Sequence, residues 1–191
     1  MVLVKGVVFL IKTKQILDEK DKRLRQISKE VTFPLDQKYV DFINESIEML
    51  TLSQIDEEAK KYNLRPGMGL SAIQVGINKR IFVIVLEVDE GKFENYIIIN
   101  PKIISHSEEM IYVEEGEGCL SINRDVEGIV PRHARIMAEY YDIDGNKHKE
   151  RFREELSIVF QHEFDHLNGI LFIDRIDKTN PYKNINNMRA I

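Results

Sequence analysis

The segment 161–166 carries the residue types that can hold a metal ion and use it. It contains H-E-x-x-H, in which His162 and His166 stand four residues apart. On a helix this spacing places both imidazoles on one face, with Cβ atoms roughly 6 Å apart, so that they can share one metal. Glu163 follows the first histidine and can reach a water on that metal without being a ligand. The pattern predicts a metal site with a carboxylate base.

The residues around this segment predict that it is helical and buried. Acidic residues at 154–155 suit the first turn of a helix, and Asn-Gly at 168–169 is a C-cap signal. Phe160, Phe164 and Leu167 are apolar, so we expect the helix to lie in the core. Polar groups buried there need hydrogen-bond partners or a metal. This favours a metal site over a solvated helix that carries the pattern by chance.

A third metal ligand must come from elsewhere, because a catalytic metal usually has three protein ligands and one open position. Cys119, His133 or a carboxylate could supply it. Cys119 is the sole cysteine, so an internal disulfide is excluded and a reducing compartment is expected. Its neighbours Gly118 and Leu120 suit a strand edge close to another group. A lone cysteine is also commonly a small buried side chain or a nucleophile paired with histidine, and the residues alone leave these alternatives open.

The bulk composition is that of an ordinary soluble protein with one core. The chain has 191 residues, 43% hydrophobic and 31% charged, enough for one domain over 1–191. Its net charge of −5 argues against a protein whose main task is to bind nucleic acid. No apolar run approaches the ~18 residues of a membrane span, and the apolar segment 7–11 is shorter than a signal-peptide core of ~7–15 residues. We expect segment 7–11 to be a strand and the protein to be cytoplasmic, without membrane or specific DNA binding.

The predicted elements form one α+β domain, with mixed and antiparallel sheets packed around the buried helix that carries H-E-x-x-H. Apolar residues at helical spacing predict helix over 36–62, with Ser53 capping a second helical piece. Strands are predicted at 81–86, 96–99, 102–105, 110–113, 135–141, 147–152 and 170–173. We expect Asn-Pro at 100–101 to end the second strand and Asp-Gly at 144–145 to turn a hairpin. The polar tail from Asp177 is predicted to be partly disordered.

Three motifs occur in chain order and together point to a known family. They are Gly-Met-Gly-Leu-Ser-Ala-Ile-Gln at 67–74, Glu-Gly-Cys-Leu-Ser at 117–121 and Gln-His-Glu-Phe-Asp-His at 161–166. The set resembles the peptide deformylase family, which carries G-x-G-φ-A-A-x-Q, E-G-C-L-S and Q-H-E-x-D-H. The similarity extends over roughly 20–175. The combination of three motifs is specific, although no single motif would be.

The resemblance implies how the metal is held and used. Cys119, His162 and His166 would be its ligands, with a water in the fourth position as the nucleophile. The family's natural metal is Fe²⁺, one per chain, which Ni²⁺, Co²⁺ or Zn²⁺ replaces during handling. Ligand type alone does not choose among these metals. Glu163 would take the proton of the water and pass it to the leaving amine.

The resemblance also implies the remaining machinery and the substrate. Donors for the tetrahedral oxyanion are the Gln74 side-chain amide and the Leu120 backbone N–H. The substrate is the N-formyl group on the N-terminal formyl-methionine of a newly synthesised polypeptide, released as formate, and the peptide would pair with the chain like an added strand. Substrate contacts are expected from Gly67, Met68, Gly69, Gly118, Arg124, Ile158 and Val159. From the residues alone, Ile158 and Val159 are equally well core positions, and Arg124 is equally well a solvated surface arginine.

The chain departs from the family pattern at a few places. Ser71 stands where the family has Ala, and the stretch 53–65 resembles the longer of the two bacterial types. The C-terminal region shows no long basic helix of the kind by which some members dock on the ribosome. We expect a monomer that acts on N-formylmethionyl nascent peptides, with a transient ribosome contact. Asp165 is expected to orient a ligand histidine or to join an ion pair, and Gln161 and Glu117 to be scaffold.

Two other functions could use the same residues. A zincin-like metallopeptidase would need a third ligand other than Cys119 and would act on unformylated peptides. A catalytically silent, metal-stabilised peptide-binding module is the second alternative. The presence of Glu163 and Gln74 argues against the silent module, since a protein without catalysis would be free to lose them.

Overall fold

The structure, a computed structural model, describes residues 10–191. Its helices are α1 Gln37–Ser53, α2 Asp56–Tyr62 and α3 Glu154–Leu167, and its strands are β1 Gly69–Ser71, β2 Ile81–Asp89, β3 Lys92–His106, β4 Met110–Tyr112, β5 Arg132–His133, β6 Arg135–Tyr141, β7 Lys147–Arg153 and β8 Arg189–Ala190. The predicted α+β class is confirmed. The strand predicted at 7–11 lies mostly outside the described residues, and Leu10 and Ile11 belong to no strand. Within the described range no helix is both long and apolar enough to cross a membrane.

Within residues 10–191, five strands form an antiparallel sheet in the order β1-β2-β3-β6-β7, with β1 at an edge. The apolar run of β2 is buried throughout 81–85 because helices cover both faces of the sheet. Successive side chains of a strand point to opposite faces. Val83 accordingly packs in the same cluster as Ile43 of α1, and Phe82 packs with Phe160 of α3. The sheet therefore packs against one side of α3, and its edge strand β1 lies next to this helix.

Helix α3 is the buried element that the H-E-x-x-H segment predicts. The Phe160 ring meets Phe82 edge-on with centroids 5.1 Å apart, and it lies 4.6 Å from the Phe152 ring of β7. Gly169, just beyond the helix, has φ +72°, a left-handed conformation that glycine adopts without strain. The helix therefore ends where the Asn-Gly signal places its end.

A second, smaller sheet has the order β5-β4-β8, with β4 antiparallel to β5 and parallel to β8. Ile111 of β4 is paired with Arg189 of β8. The tail from Asp177, predicted to be partly disordered, instead folds into the 3₁₀ helix Ile185–Asn187 and this strand. Strand pairing supplies the order that the polar composition of the tail does not indicate.

Three local predictions of secondary structure are wrong. The strand predicted to end at Asn-Pro continues as β3, because Asn100 adopts φ +50° and the pairing register shifts there as a bulge. The strand predicted at 170–173 is a turn into the 3₁₀ helix Phe172–Asp174, where the Asp174 carboxylate accepts the Leu171 N–H at 2.8 Å. Ser53 ends α1 rather than capping α2, and its hydroxyl donates to Leu50 O at 2.8 Å.

Candidate active site

Cys119, His162 and His166 converge on one point. Their ligand atoms all lie within 4.8 Å of one another, and all three side chains are buried. The Cys119 Sγ is 3.3 Å from His166 Nε2. His133, the other candidate third ligand, is turned away, with its Nδ1 2.8 Å from Ser107 O. Of the two candidates Cys119 and His133, it is therefore the cysteine that lies with His162 and His166.

The donor set suits a divalent transition metal. A thiolate and two imidazoles, three protein ligands in all, match metals from iron to zinc and leave a fourth position for a small molecule. Burial, together with the charge on His162, lowers the pKa of His166 well below its ordinary value. The neutral imidazole that results is the form that binds a metal.

A buried chain of charges orients His162. Its Nδ1 lies 2.8 Å from Glu117 Oε2, and both Glu117 oxygens accept from Arg132, at 2.7 and 2.9 Å. Arg132 is only 1% exposed and also donates to Asp165 at 2.6 Å. Burial raises the pKa of Glu117, but Arg132 and His162 outweigh burial and hold it at about 2. A carboxylate on Nδ1 leaves Nε2 for the metal.

Asp165 and Gln161 brace the same region without contacting a ligand histidine. Asp165 is paired with Arg132 and with Arg175, so its place is the ion pair and not the side chain of a ligand. Gln161 donates to His133 O at 2.9 Å, which ties α3 to β5.

Glu163 is a buried carboxylate held by β1. The hydroxyl of Ser71 donates to its Oε2 at 2.7 Å. A Cβ added to Gly69 would lie 2.4 Å from its Oε1, so only glycine leaves room for the carboxylate in this position. Burial raises the pKa of Glu163 above its ordinary value. The carboxylate is therefore a better proton acceptor than one in water.

Gln74 lies in the 3₁₀ helix Ala72–Val75, immediately after β1. Its Oε1 accepts the Ser71 N–H at 2.8 Å, which fixes the orientation of the amide. The Nε2 atom then points to Ser121 Oγ at 3.1 Å and Cys119 Sγ at 3.7 Å. A glutamine predicted as an oxyanion donor thus presents its NH₂ beside the proposed metal ligand.

A cavity of about 530 Å³ lies beside these side chains, and several of them line it. Its lining contains six of the seven predicted substrate residues, Gly67, Met68, Gly69, Gly118, Ile158 and Val159, together with Gln74, Cys119, Leu120, His162 and Glu163. Arg124 is absent from the lining and pairs with Glu19 at 2.8 Å, so the geometry gives its predicted contact no support. The residues of this lining that sequence reasoning did not assign to the site are Ser53, Gln54, Asp56, Arg65, Pro66, Glu87, Val113, Gly116 and Glu117.

A protein-family comparison decides the family. The model of the polypeptide deformylase family matches residues 13–182. The chain belongs to the peptide deformylase family. A Ligilactobacillus salivarius peptide deformylase is 45% identical over 175 residues, 90% of this chain and 94% of that protein. Peptide deformylase 2 of Bacillus anthracis is 43% identical over 173 residues, covering 91% and 94% respectively.

Solved peptide deformylases share the fold. The Thermotoga maritima enzyme aligns with a TM-score of 0.66 at 36% identity, covering 85% of this chain and 96% of that one. A Met-Ala-Ser-bound class I type b peptide deformylase of Acinetobacter baumannii aligns with a TM-score of 0.68 at 26% identity, covering 89% and 100%. Peptide deformylases are metal-dependent hydrolases of formyl-methionyl peptides. The resemblance drawn from the three motifs is confirmed.

Proposed function

We propose that this chain hydrolyses the N-formyl group from the N-terminal formyl-methionine of newly synthesised polypeptides and releases formate. The observation that carries the proposal is the convergence of Cys119, His162 and His166. Two of these side chains, Cys119 and His162, line one cavity together with Glu163 and Gln74. Family membership supports the reaction. The residues' individual roles are argued from their contacts.

Cys119, His162 and His166 would hold one divalent metal. When bound, such a metal lowers the pKa of a water ligand and polarises a carbonyl oxygen. We assign Fe²⁺ as the resident ion on the strength of the family resemblance, with Ni²⁺, Co²⁺ or Zn²⁺ as replacements. The carboxylate of Glu117 keeps His162 in the tautomer that this role needs.

Glu163 transfers a proton from the attacking water to the leaving amine. One of its oxygens is held by Ser71, which leaves the other available at the cavity. The carboxylate accepts a proton from the attacking water and delivers it to the amine that leaves, help worth about 10²–10⁴ in rate.

Gln74 and Leu120 stabilise the oxyanion of the tetrahedral intermediate. The Gln74 NH₂ is aimed by its bond to the Ser71 N–H. The Leu120 N–H has no hydrogen-bond acceptor within residues 10–191, so it is available to the substrate. Loss of one such donor typically costs roughly 10²–10³ in kcat.

The substrate peptide adds to the edge strand β1. Within residues 10–191, β1 is paired on one side, with β2, and its first residue, Gly69, lines the cavity together with Gly67 and Met68. Added-strand binding uses such backbone groups for affinity and pockets for specificity. Met68, Ile158 and Val159 line an apolar part of the cavity that suits the methionine side chain.

We further propose the setting in which this chemistry operates. The chain acts as a single catalytic domain over 1–191, as a monomer in the cytoplasm, on nascent peptides that it meets in transient contact with the ribosome. The folded second sheet packs β5 against α3, which supports one continuous domain over the described residues.

The deciding experiment measures formate release from formyl-Met-Ala-Ser by protein loaded anaerobically with Fe²⁺, with the acetylated peptide as control. Rapid release from the formyl peptide alone supports the proposal. If metal binds stoichiometrically and no formate appears, the proposal is overturned. Cleavage of unformylated peptides would then indicate a metallopeptidase, and peptide binding without turnover a silent binding module.

A further inference from the structure

We infer that Arg65 is a positioning residue for the Leu120 N–H, the backbone donor of the oxyanion site. This inference rests on the proposed function, in which that N–H stabilises the oxyanion. Arg65 lies between α2 and β1 and lines the cavity, yet its side chain is turned towards the chain around the cysteine.

One guanidinium holds four acceptors of the loop that follows Cys119. The Arg65 Nη2 donates to Cys119 O at 3.2 Å and to Ile122 O at 3.0 Å. The Nη1 donates to Leu120 O at 3.2 Å and also to the Asn123 side chain. The planar, forked shape of arginine allows this set, whereas the point charge of lysine would not span it.

The geometry of the peptide bond carries the effect to the reactive side. The carbonyl of Cys119 and the N–H of Leu120 belong to one planar unit and, in a trans peptide, point in opposite directions. A bond that fixes the Cys119 oxygen therefore fixes the direction of the Leu120 N–H. The positively charged guanidinium beside that oxygen also polarises the peptide and strengthens the N–H as a donor.

The other contacts of this peptide unit are weaker constraints. Cys119 O accepts one further bond, from the Ile122 N–H at 3.1 Å, within the same turn. The Leu120 side chain packs close to Gly67, where an added Cβ would lie 3.1 Å from it. The charged side chain of Arg65 connects the turn at 119–122 to the segment between α2 and β1, which also lines the cavity. It does not contact the Cys119 sulfur, so its loss should leave metal binding in place.

The test compares Arg65→Met and Arg65→Lys with Arg135→Met, a control arginine that pairs with Glu109 away from the cavity. We expect Arg65→Met to lower kcat for formyl-Met-Ala-Ser about 10- to 100-fold, somewhat less than outright loss of an oxyanion donor. KM, metal content and the thiolate absorption of the Co²⁺-loaded protein should stay as in the parent. Arg65→Lys should recover part of kcat, and it serves as the folded variant if Arg65→Met does not fold.

A second readout does not depend on turnover. The order parameter of the Leu120 N–H, measured by NMR relaxation, should fall in both Arg65 variants and stay as in the parent in Arg135→Met. An unchanged Leu120 order parameter in the Arg65 variants overturns the inference, whether or not the enzyme is active. A lower order parameter with unaltered kcat also overturns it, because the held N–H would then not matter to the reaction. A parent protein that releases no formate contradicts the proposed function, and the order parameter still decides what Arg65 holds.

Discussion

Ser71 Oγ donates a hydrogen bond to Glu163 Oε2 at 2.7 Å, between residues that are both buried. Within residues 10–191 the carboxylate has no other hydrogen-bond donor. The same serine presents its backbone N–H to Gln74 Oε1 at 2.8 Å. One residue of β1 therefore orients both the proposed base and a proposed oxyanion donor.

Replacing Ser71 by Ala should lower kcat about tenfold and leave KM unchanged. The carboxylate loses its one donor, and a hydrogen bond to a charged group is worth about 1.5–3 kcal/mol. The backbone bond to Gln74 remains, so the oxyanion donor keeps its orientation, and Ser71 is not among the residues that line the cavity. Steady-state formate release measures both constants. Ser46→Ala, which also removes a buried hydroxyl, one that donates to Phe42 O, is the control and should keep full activity. Parent-like kcat in Ser71→Ala would mean that Glu163 needs no hydroxyl to stay in place.

Gly69→Ala should lower kcat about 10²-fold, the lower end of what a general base contributes. The new Cβ would lie 2.4 Å from Glu163 Oε1 and force the carboxylate aside. Gly91→Ala is the control, because open space surrounds that position, although its φ of +68° strains any side chain there. It should lower the melting temperature slightly and leave kcat intact. Full activity in Gly69→Ala would show that the carboxylate can move without cost.

Glu163→Ala should lower kcat by about 10²–10⁴, the usual contribution of a general acid–base group. The metal content and the circular dichroism spectrum should match the parent, since Glu163 is not among the three ligand candidates. Glu163→Gln keeps the shape and should lose activity to a similar extent. Activity that survives in either variant would exclude the proton-transfer role.

Cys119→Ala should weaken metal binding by more than about 100-fold, since loss of even the groups that orient ligands costs 10–100-fold. Competition with a chelator measures the affinity. His133→Ala removes the rejected third ligand, whose Nδ1 faces Ser107 O, and should bind metal like the parent. Full-strength binding by the Cys119 variant would remove the thiolate from the ligand set.

Glu117 should make folding stability depend on pH. Its folded pKa of about 2 lies below the ordinary 4.5, so its stabilisation is complete above pH 4.5 and lost as pH falls towards 2. Glu117→Gln breaks the buried pair with Arg132 and should cost about 3–5 kcal/mol at pH 7. The difference from the parent, measured by urea unfolding, should shrink as pH approaches 2. Glu139→Gln, at the surface pair with Lys147, should show little change. A pH-independent difference would contradict the assignment.

The parts of the site that sequence reasoning finds are those encoded locally. His162, Glu163 and His166 share one helix, whose caps and apolar residues are also local signals, so the sequence could predict where they lie. Their roles stay predictions. Cys119 is separated from His166 by 47 residues, and only the resemblance singles it out among the candidate third ligands. From residue types alone it could not be told from His133, because the choice depends on which loop the sheet brings to the helix.

The parts that sequence reasoning misses depend on contacts between distant segments. Ser71 meets Glu163 across 92 residues and Arg65 meets Leu120 across 55. Neither residue belongs to a motif that demands its side chain. The fold shows the same limit: the bulge that carries β3 past Asn100 depends on pairing with β6, and β8 exists only because β4 offers it an edge.

Arg132 makes assembly of this region all-or-none. Arg132 lies in β5, and its guanidinium pairs with both Glu117, two residues before Cys119, and Asp165 of α3. If one of these segments were not yet in place, a buried charge would lack its partner, at about 3–5 kcal/mol. Partly folded states, in which one of these three segments is not yet packed, should therefore be sparsely populated during folding. Newly made chains should divide sharply into those unable to capture metal and those fully competent, with few partly folded molecules exposed to binding the wrong ion.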